Sequence, residues 1–265
     1  MRTIGPCWRE ERGATALTLL WATLAAPFFA FCLQAMLTVY IVHQQLRTAA
    51  DAAALAATRA IVDLLPAAVE EEAEARVDRV LSDEEANRQI EEEIAELEAE
   101  QEACAADPLC VPLTPEEVEE RIKAIKVRAY RQAFSRLFRG TLSYGMAEKI
   151  VEGTWGSTTP REKRDELIPD DGDLACLIRR TAHRHEARVL AEAERLARLN
   201  GAELKRAEVR LIDVDGQNYV EVSRKVKPVG APWLFPDNNY PELAVEGKAT
   251  LERVGHRTPD YSSGC

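Results

Sequence analysis

The hydrophobic pattern of the chain begins with one long apolar run. Residues 14–42 read ATALTLLWATLAAPFFAFCLQAMLTVYIV and contain no charged side chain. Because about 20 helical residues span the hydrocarbon core of a bilayer, this run predicts a transmembrane helix, and tilt absorbs its extra length. Two alternatives stay open at this point. A cleaved signal peptide has an apolar region of about 7 to 15 residues, and a core helix of a soluble domain would be buried.

The charges that flank the run predict its orientation. Arg2, Arg9 and Arg12 precede it, and Lys and Arg near a membrane helix favour the cytoplasmic side. We therefore expect residues 1–13 to form a cytoplasmic tail. The protein is then a single-pass protein of the cell membrane whose C-terminal region is extracytoplasmic.

The pattern after the run is typical of helices over residues 43–139. Residues 43–65 are rich in alanine and contain no glycine, so the membrane helix should continue as far as Pro66. Residues 67–103 carry apolar positions at a spacing near 3.5 residues, which predicts a second helix with one packed face. These positions are Val77, Val80, Leu81, Ile90, Ile94 and Leu97.

A third helix begins at Thr114, where Thr-Pro-Glu-Glu supplies an N-cap and a proline at the first helical position. It should run to Arg139 and stop at Gly140. We expect it to pair with the helix of residues 67–103 as an antiparallel hairpin, with a turn near 104–113.

Residues 140–172 hold clusters of Gly, Ser, Thr and Pro and predict an irregular connector. Residues 173–265 predict an α+β domain, in which a helix over 174–199 precedes segments of alternating polarity. Residues 207–214 and 218–226 alternate around Asp215-Gly216, a strong hairpin signal, and residues 242–254 predict a third strand. The predicted fold class is α+β: a transmembrane helix that continues into a long helix, a helical hairpin, and a small antiparallel sheet packed on a helix.

The predicted topology places four of the six cysteines on the extracytoplasmic side of the membrane, where disulfides form if that compartment is oxidising. Cys104 and Cys110 are separated by AADPL, whose Asp-Pro favours a turn, so a disulfide can close the tip of the hairpin. Cys176 and Cys265 are the remaining pair. Buried or free thiols are the alternative, and the absence of CxxC spacing disfavours zinc.

Charge and motifs argue against nucleic-acid binding and against catalysis. The net charge of -11 disfavours a phosphate-binding surface. His183 and His185, followed by Glu186, are spaced i and i+2, so on a helix they point to different faces and ligate one ion poorly. The aspartates of residues 170–173 predict helix capping. The chain contains no GxSxG and no HExxH, and we expect a non-enzymatic protein without cofactor or metal.

Two phrases, ERGATALTLLW and QQLRTAADAAALAATRA, resemble the TadE/TadG-like proteins of the Flp (tight adherence) pilus-assembly family. The residues of the family-like motif are Leu46, Ala49, Ala50, Asp51, Ala52, Ala53 and Leu55. The resemblance implies an envelope protein with a role in the assembly of a Flp/Tad-type pilus or a related secretion system. Such a protein acts as a minor pilin-like or structural subunit and has other membrane or pilus-assembly proteins as partners, in a possible oligomer.

The resemblance also bears on processing of the amino terminus. In TadE-type members a prepilin peptidase cuts after a glycine, and a glutamate stands at the fifth position of the mature chain. Here Gly13 and Ala14 flank the corresponding bond, but Thr18 stands at the glutamate's position. Threonine cannot form an ion pair with a neighbouring subunit's amino terminus, so the resemblance favours the TadG-type uncleaved anchor.

Two functions from other classes compete with this reading. A single-pass extracytoplasmic sensor or ligand-binding protein would need a membrane partner, since the predicted cytoplasmic tail of residues 1–13 is too short to fold into a signalling domain. A secreted hydrolase is disfavoured because no nucleophile or acid-base pair emerges from the sequence.

Overall fold

A computed structural model describes residues 7–107, 109–226 and 240–262, with side chains from residue 15 onward. It is mostly helical and has a small antiparallel sheet. The helices are α1 (Cys7–Leu81), α2 (Glu84–Ala106), α3 (Pro115–Leu137), α4 (Tyr144–Val151), α5 (Pro160–Leu167), α6 (Asp171–Arg184) and α7 (Glu186–Leu199). The strands are β1 (Glu203–Leu204), β2 (Gln217–Lys225) and β3 (Glu242–Thr250).

Helix α1 contains the apolar run found in the sequence. Of the helices that the structure describes, it is the one with a segment long and apolar enough to cross a membrane, and none of that segment is buried. Trp21 and Met36, for example, are 68% and 70% exposed. The segment is therefore not a core helix of this fold, and its uncovered apolar surface fits single-pass membrane anchoring.

The prediction that the first helix ends near Pro66 is wrong, because α1 continues to Leu81. Pro66 lies on the exposed side of the helix, where water can satisfy the carbonyl that a proline leaves without its donor. Its neighbours Leu64 and Leu65 are buried and hold the helix in place. The break falls at Asp83 instead, whose side chain caps α2 by accepting a hydrogen bond from the Ala86 amide at 2.9 Å.

The predicted start of α3 is confirmed. The Thr114 hydroxyl accepts a hydrogen bond from the Glu117 amide at 3.3 Å, and the Glu117 carboxylate accepts one from the Thr114 amide at 2.7 Å. This capping box satisfies two amides that the first turn leaves without helical partners. Helix α3 ends at Leu137, two residues before the predicted end.

Helices α2 and α3 contact one another through a series of side-chain pairs. The ion pairs Asp83–Arg136 and Glu93–Arg128 join them, and the disulfide Cys104–Cys110 links the end of α2 to the segment before α3. The predicted disulfide between Cys104 and Cys110 is present, with its Cα atoms 5.2 Å apart.

Residues 140–172, predicted as an irregular connector, are largely helical. They hold α4, a 3-10 turn at Trp155–Ser157, α5 and the start of α6. The prediction fails because Ser143 and Thr159, residue types that are also common in loops, are the N-caps of helices. The capping predicted at Asp170 is confirmed. The single helix predicted over 174–199 is divided at His185, which caps the C-terminal end of α6.

The sheet has the order β1-β2-β3, and β1 pairs antiparallel with β2. The strand predicted over 207–214 is wrong. That stretch begins inside a 3-10 turn at Arg206–Glu208 and contains Ile212 at a φ of 46°, which extended backbone cannot accommodate. The tight turn before β2 is nonetheless present, since the Gly216 amide donates to the Asp213 carbonyl at 2.9 Å and Gly216 has a φ of 70°.

The chain divides into two compact units. The first comprises Met1–Leu55, Glu192–Val209 and Tyr219–Lys248, and the second comprises Ala56–Ala191, Arg210–Asn218 and Ala249–Cys265. In the first unit the buried apolar side chains come from α1, α7, β2 and the segments that follow α7 and β2. They are Leu46, Ala49, Ala50, Ala53, Ala54, Ala193, Ala197, Ala202, Val220, Val222 and Val226.

The second unit contains an apolar cluster to which α1 through α5 contribute. Its members are Ala73, Val77, Val80, Ala86, Ile90, Val127, Ala129, Ala133, Phe134, Leu142, Met146, Ala147, Ile150 and Leu167. Phe134 and Phe138 contact each other with ring centroids 5.0 Å apart. The predicted apolar face over Val77, Val80 and Ile90 belongs to this cluster.

Arg76 is the central polar group of the second unit. Its buried guanidinium donates to Glu72 at 3.0 Å, to the Leu167 carbonyl at 3.1 Å and to Asp173 at 2.8 Å. It also lies 4.6 Å from the centroid of the Phe138 ring. A buried cation is stable only when it is paired and hydrogen-bonded, and the partners of Arg76 lie on α1, α5 and α6. Its contacts therefore join these three helices.

Replacement of Arg76 by methionine tests this role. The change leaves the Asp173 carboxylate without its cation, and we expect the free energy of unfolding to fall by about 3 kcal/mol. Urea unfolding of the detergent-solubilised protein, followed by tryptophan fluorescence, measures the change. The control is Arg88→Met, because Arg88 forms exposed pairs with Glu85 and Glu92 and should leave the midpoint unchanged. Equal effects of the two substitutions would contradict the assignment.

We expect the buried phenol of Tyr261 to make the stability of the fold depend on pH in the alkaline range. It is buried, and its hydroxyl donates to the Leu251 carbonyl at 3.1 Å. Burial raises the pKa of Tyr261 to about 12, partly opposed by Arg179. The pKa of Tyr261 in the folded protein lies above its unfolded value of about 10. The contribution of the neutral phenol to folding stability is therefore fully present below pH about 10 and is lost as pH rises toward about 12.

The difference in absorbance at the phenolate band between the native protein and a Tyr261→Phe variant isolates this group during a pH titration. We expect the difference to develop around the raised pKa. A difference that develops at the ordinary tyrosine pKa would show that the phenol is accessible to water.

Candidate functional site

The motif that carries the family resemblance forms the part of α1 that follows the apolar run. Its side chains divide into two faces. Leu46, Ala49, Ala50 and Ala53 are buried, a spacing of three and four residues that places them on one side of the helix. Asp51 is exposed, Ala52 is half-buried and Leu55 is 62% exposed on the other side. The motif thus combines a packed alanine face with an exposed face that includes a large apolar side chain.

Gly247 of β3 explains why the packed face is made of small residues. A Cβ atom added at Gly247 would collide with the backbone of Ala50 and with the amide of Asp51. Strand β3 therefore lies directly on the α1 backbone, which only glycine on the strand and alanine on the helix permit. Sequence reasoning recorded the alanines as a motif and missed Gly247, whose role depends on a partner about 200 residues away in the sequence.

A polar contact joins the end of β2 to α1 close to the apolar run. Arg224 donates from Nη1 to Gln45 Oε1 at 3.3 Å, and both residues are exposed. Gln45 is the third residue after Val42, the last residue of the run. This contact places the end of β2 beside the first turn of helix that follows the apolar run.

The second unit holds a buried polar contact between α1 and β2. Asn218 is fully buried, donates to the Thr58 hydroxyl at 2.8 Å and accepts from the Ile212 amide at 3.0 Å. Both polar ends of the amide are thus satisfied, which a buried amide requires. The second bond also holds Ile212 in its left-handed conformation. No local sequence signal marks this pair, since its members are 160 residues apart.

Lys205, next to β1, pairs with acidic side chains of β2 and β3. Lys205 lies 3.1 Å from Glu221 and 3.8 Å from Glu242. The hydrogen bond to Glu221 raises the pKa of Lys205. A hydrogen bond from Ser223, followed by the positive charges of Lys205 and Lys225, lowers the pKa of Glu242. Both shifts favour the charged forms of Lys205 and Glu242.

The residues of the candidate processing site lie within α1. Gly13 and Ala14 belong to the helix, and their side chains lie outside the described part of the structure. Thr18 is exposed, and its hydroxyl donates to the Thr15 carbonyl at 2.9 Å. Because that bond satisfies the hydroxyl within its own helix, Thr18 can face lipid without an unsatisfied donor.

Among the predicted disulfide cysteines, Cys104 and Cys110 are joined and Cys176 is disulfide-bonded. Its predicted partner, Cys265, lies outside the described residues, so this pairing stays a prediction. Cys32 in the apolar run is a half-buried free thiol.

The candidate metal or acid-base residues are engaged elsewhere or exposed. His183, His185 and Glu186 lie on the surface at the junction of α6 and α7. Asp170 caps α6 by accepting from the Asp173 amide at 3.0 Å. In the part of the chain that the structure describes, no group of three or more His, Cys, Asp or Glu side chains is placed to hold a metal ion.

Comparison of the chain with known protein families, with curated proteins and with solved structures found no match.

The packing at Gly247 generates a stability prediction. We expect Gly247→Ala to lower the free energy of unfolding by about 1–3 kcal/mol, because the added methyl group forces the strand away from Ala50. Gly145→Ala is the matched control, since a Cβ atom at Gly145 meets nothing within 4 Å and alanine favours the helix in which Gly145 lies. Urea unfolding of both variants gives the comparison, and a Gly247→Ala variant as stable as the control would show that β3 does not lie on the helix backbone.

Proposed function

We propose that this protein is a membrane-anchored envelope component, with a structural rather than a catalytic role in the assembly of a Flp/Tad-type pilus or a related secretion system. The observation that carries the proposal is the contrast along α1. The apolar segment is uncovered, whereas the adjoining motif helix packs one alanine face inside its own fold and leaves the other face exposed.

The uncovered segment supports the anchoring part of the proposal. Apolar side chains such as Leu24, Phe28 and Leu37 are each about 60% exposed, and their transfer from water to hydrocarbon is favourable by about 25 cal/mol per Å². A bilayer supplies that environment along the whole apolar segment. With the arginines of residues 1–13 on the cytoplasmic side, the folded region is extracytoplasmic.

The state of the amino terminus follows from Thr18. A threonine at this position cannot provide the negative charge that pairs with a neighbouring amino terminus in the TadE-type members that this chain resembles. We therefore assign the protein to the uncleaved, TadG-like class of structural subunits. In this role α1 stays in the membrane as a permanent anchor.

Helices α2 and α3 form an arm of this subunit in the proposal. The ion pairs Glu93–Arg128 and Asp83–Arg136 and the disulfide that follows α2 support an antiparallel helical hairpin. The disulfide closes the loop between the two helices, and disulfides persist in an oxidising compartment. The loop at the tip of the arm therefore stays closed on the extracytoplasmic side.

The exposed face of the motif helix is the proposed contact with other subunits. Leu55 is a large apolar side chain that is 62% exposed, 13 residues beyond the end of the apolar run. A helix of a partner subunit can cover such a side chain.

A photo-crosslinking amino acid at Leu55 tests the proposed function in the cells that produce the protein. We expect ultraviolet light to give covalent products with membrane or pilus-assembly proteins, identified by mass spectrometry. The matched control carries the same amino acid at Leu46, which is 1% exposed and should give no product with another protein.

Three outcomes of this experiment count against the proposal. They are crosslinks to soluble proteins alone, crosslinks of equal yield from both positions, and an absence of protein adducts at Leu55 in a correctly folded variant. Resistance of the variant to proteolysis, compared with the unmodified protein, establishes that it is folded.

A further inference from the structure

The end of β2 carries exposed cations beside the end of the apolar segment. Arg224 and Lys225 are both exposed, and Arg224 contacts Gln45 at 3.3 Å. Gln45 follows Val42 by three residues, so at 1.5 Å per residue it lies about 4.5 Å further along the helix axis. Arg47, two residues beyond Gln45, is also exposed.

The depth of Gln45 corresponds to the lipid headgroups. A bilayer is about 40–45 Å thick with its headgroups and about 30 Å thick in its hydrocarbon core, which leaves roughly 5–8 Å of headgroup region on each side. Residues 14–42 form about 43 Å of helix, which equals the thickness of the bilayer with its headgroups. Gln45 and its partner Arg224 therefore lie at the outer edge of the headgroup layer, and tilt of the helix brings them closer to it. This placement rests on the proposed membrane anchoring.

The groove beside these cations holds acidic as well as basic side chains. It is lined by Gly201, Glu203, Ser223, Arg224, Lys225 and Glu242. Glu242 interacts with Ser223 and with Lys205 as well as with Lys225, and Glu221 pairs with Lys205. Arg224 has the Gln45 amide oxygen, a neutral group, as its acceptor, and so retains donors for an anion.

We propose that Arg224 and Lys225, together with Arg47, bind the phosphate groups of anionic phospholipids at the membrane surface. The planar fork of an arginine matches a phosphate bidentately, and lysine adds a compact charge. An anionic membrane surface attracts basic residues that lie within a Debye length of it. The contact fixes the end of β2 on the lipid surface beside the helix that enters it.

The test uses the full chain in lipid nanodiscs, either of phosphatidylcholine alone or with phosphatidylglycerol added. Acetylation of lysine side chains by a water-soluble reagent is followed by mass spectrometry, residue by residue. We expect Lys225 to react about fivefold more slowly in the anionic discs, and high salt to remove the difference. Lys126 of α3 is the internal control and should react equally in both kinds of disc.

A double variant, Arg47→Gln with Arg224→Gln, extends the test. We expect it to reduce the protection of Lys225 in anionic discs, while an unchanged rate at Lys126 shows that the fold is intact. The inference is overturned if Lys225 reacts at the same rate in both discs although the chain is inserted in both. Protection by inorganic phosphate in neutral discs, equal to that by anionic lipid, would overturn it as well, because the site would then take a free anion.

Failure of the proposed membrane anchoring gives a different result. In that case the chain would not co-purify with discs of either composition and would be removed from vesicles by alkaline extraction. Disc insertion is therefore measured before acetylation, which separates this outcome from a failure of the lipid contact alone.

Discussion

Helix α1 has to satisfy two environments along a single continuous backbone, and the rest of the structure follows from how it does so. Its first part presents large apolar side chains outward in all directions, a surface that fits the hydrocarbon of a membrane. Its next part presents alanines to the fold and polar groups to water. The change occurs within a few residues, between Val42 and Leu46, where the chain passes from uncharged apolar sequence to a buried face.

The alanine face is the feature through which the fold attaches to this helix. Small side chains bury little apolar area, so alanines stabilise the contact mainly by letting backbones approach each other. Gly247 is the counterpart on β3, and the absence of a side chain there allows the strand to touch the helix at Ala50. A larger residue on either side would separate the two elements, which accounts for an alanine-rich phrase where a soluble helix would carry leucine and isoleucine.

The second unit is organised by buried charge as much as by apolar packing. Arg76 and Lys163 are both buried, and each is matched by acids and carbonyls. Lys163 donates to Glu70 and to the Gly156 carbonyl, and it lies 5.0 Å from the centroid of the Trp155 ring. Since both cations bond to groups on elements distant in sequence, they select one arrangement of α1, α5 and α6 among those that the apolar cluster allows.

Local signals in the sequence predicted those parts of the fold that depend on neighbours along the chain. The apolar run, the capping box at Thr114, the turn at Gly216 and the disulfide between Cys104 and Cys110 are all of this kind. Ser143 and Thr159 show the ambiguity of such signals, because the same residue types mark loops and helix caps. At Ser143 and Thr159 the sequence predicts a loop, whereas the structure has the beginnings of α4 and α5.

The features that prediction missed depend on partners far away in the sequence. Thr58 and Asn218 form a buried pair across 160 residues, and Gly247 has meaning only beside Ala50. The segment over 207–214 alternates in polarity as a strand does. Its backbone is nevertheless not extended at Ile212, which has a φ of 46° and whose amide donates to Asn218. Tertiary contacts here override a local pattern.

The central claim is that α1 is a permanent anchor, with its apolar segment held in the membrane and its amino terminus uncut. Intact mass measurement with amino-terminal sequencing of the membrane-extracted protein tests it most directly. The account predicts that residues before Gly13 remain attached to a chain that stays in the membrane fraction. A chain that starts at Ala14 would indicate prepilin-type processing, and one that starts after Val42 would indicate a cleaved signal peptide; either result would contradict the claim.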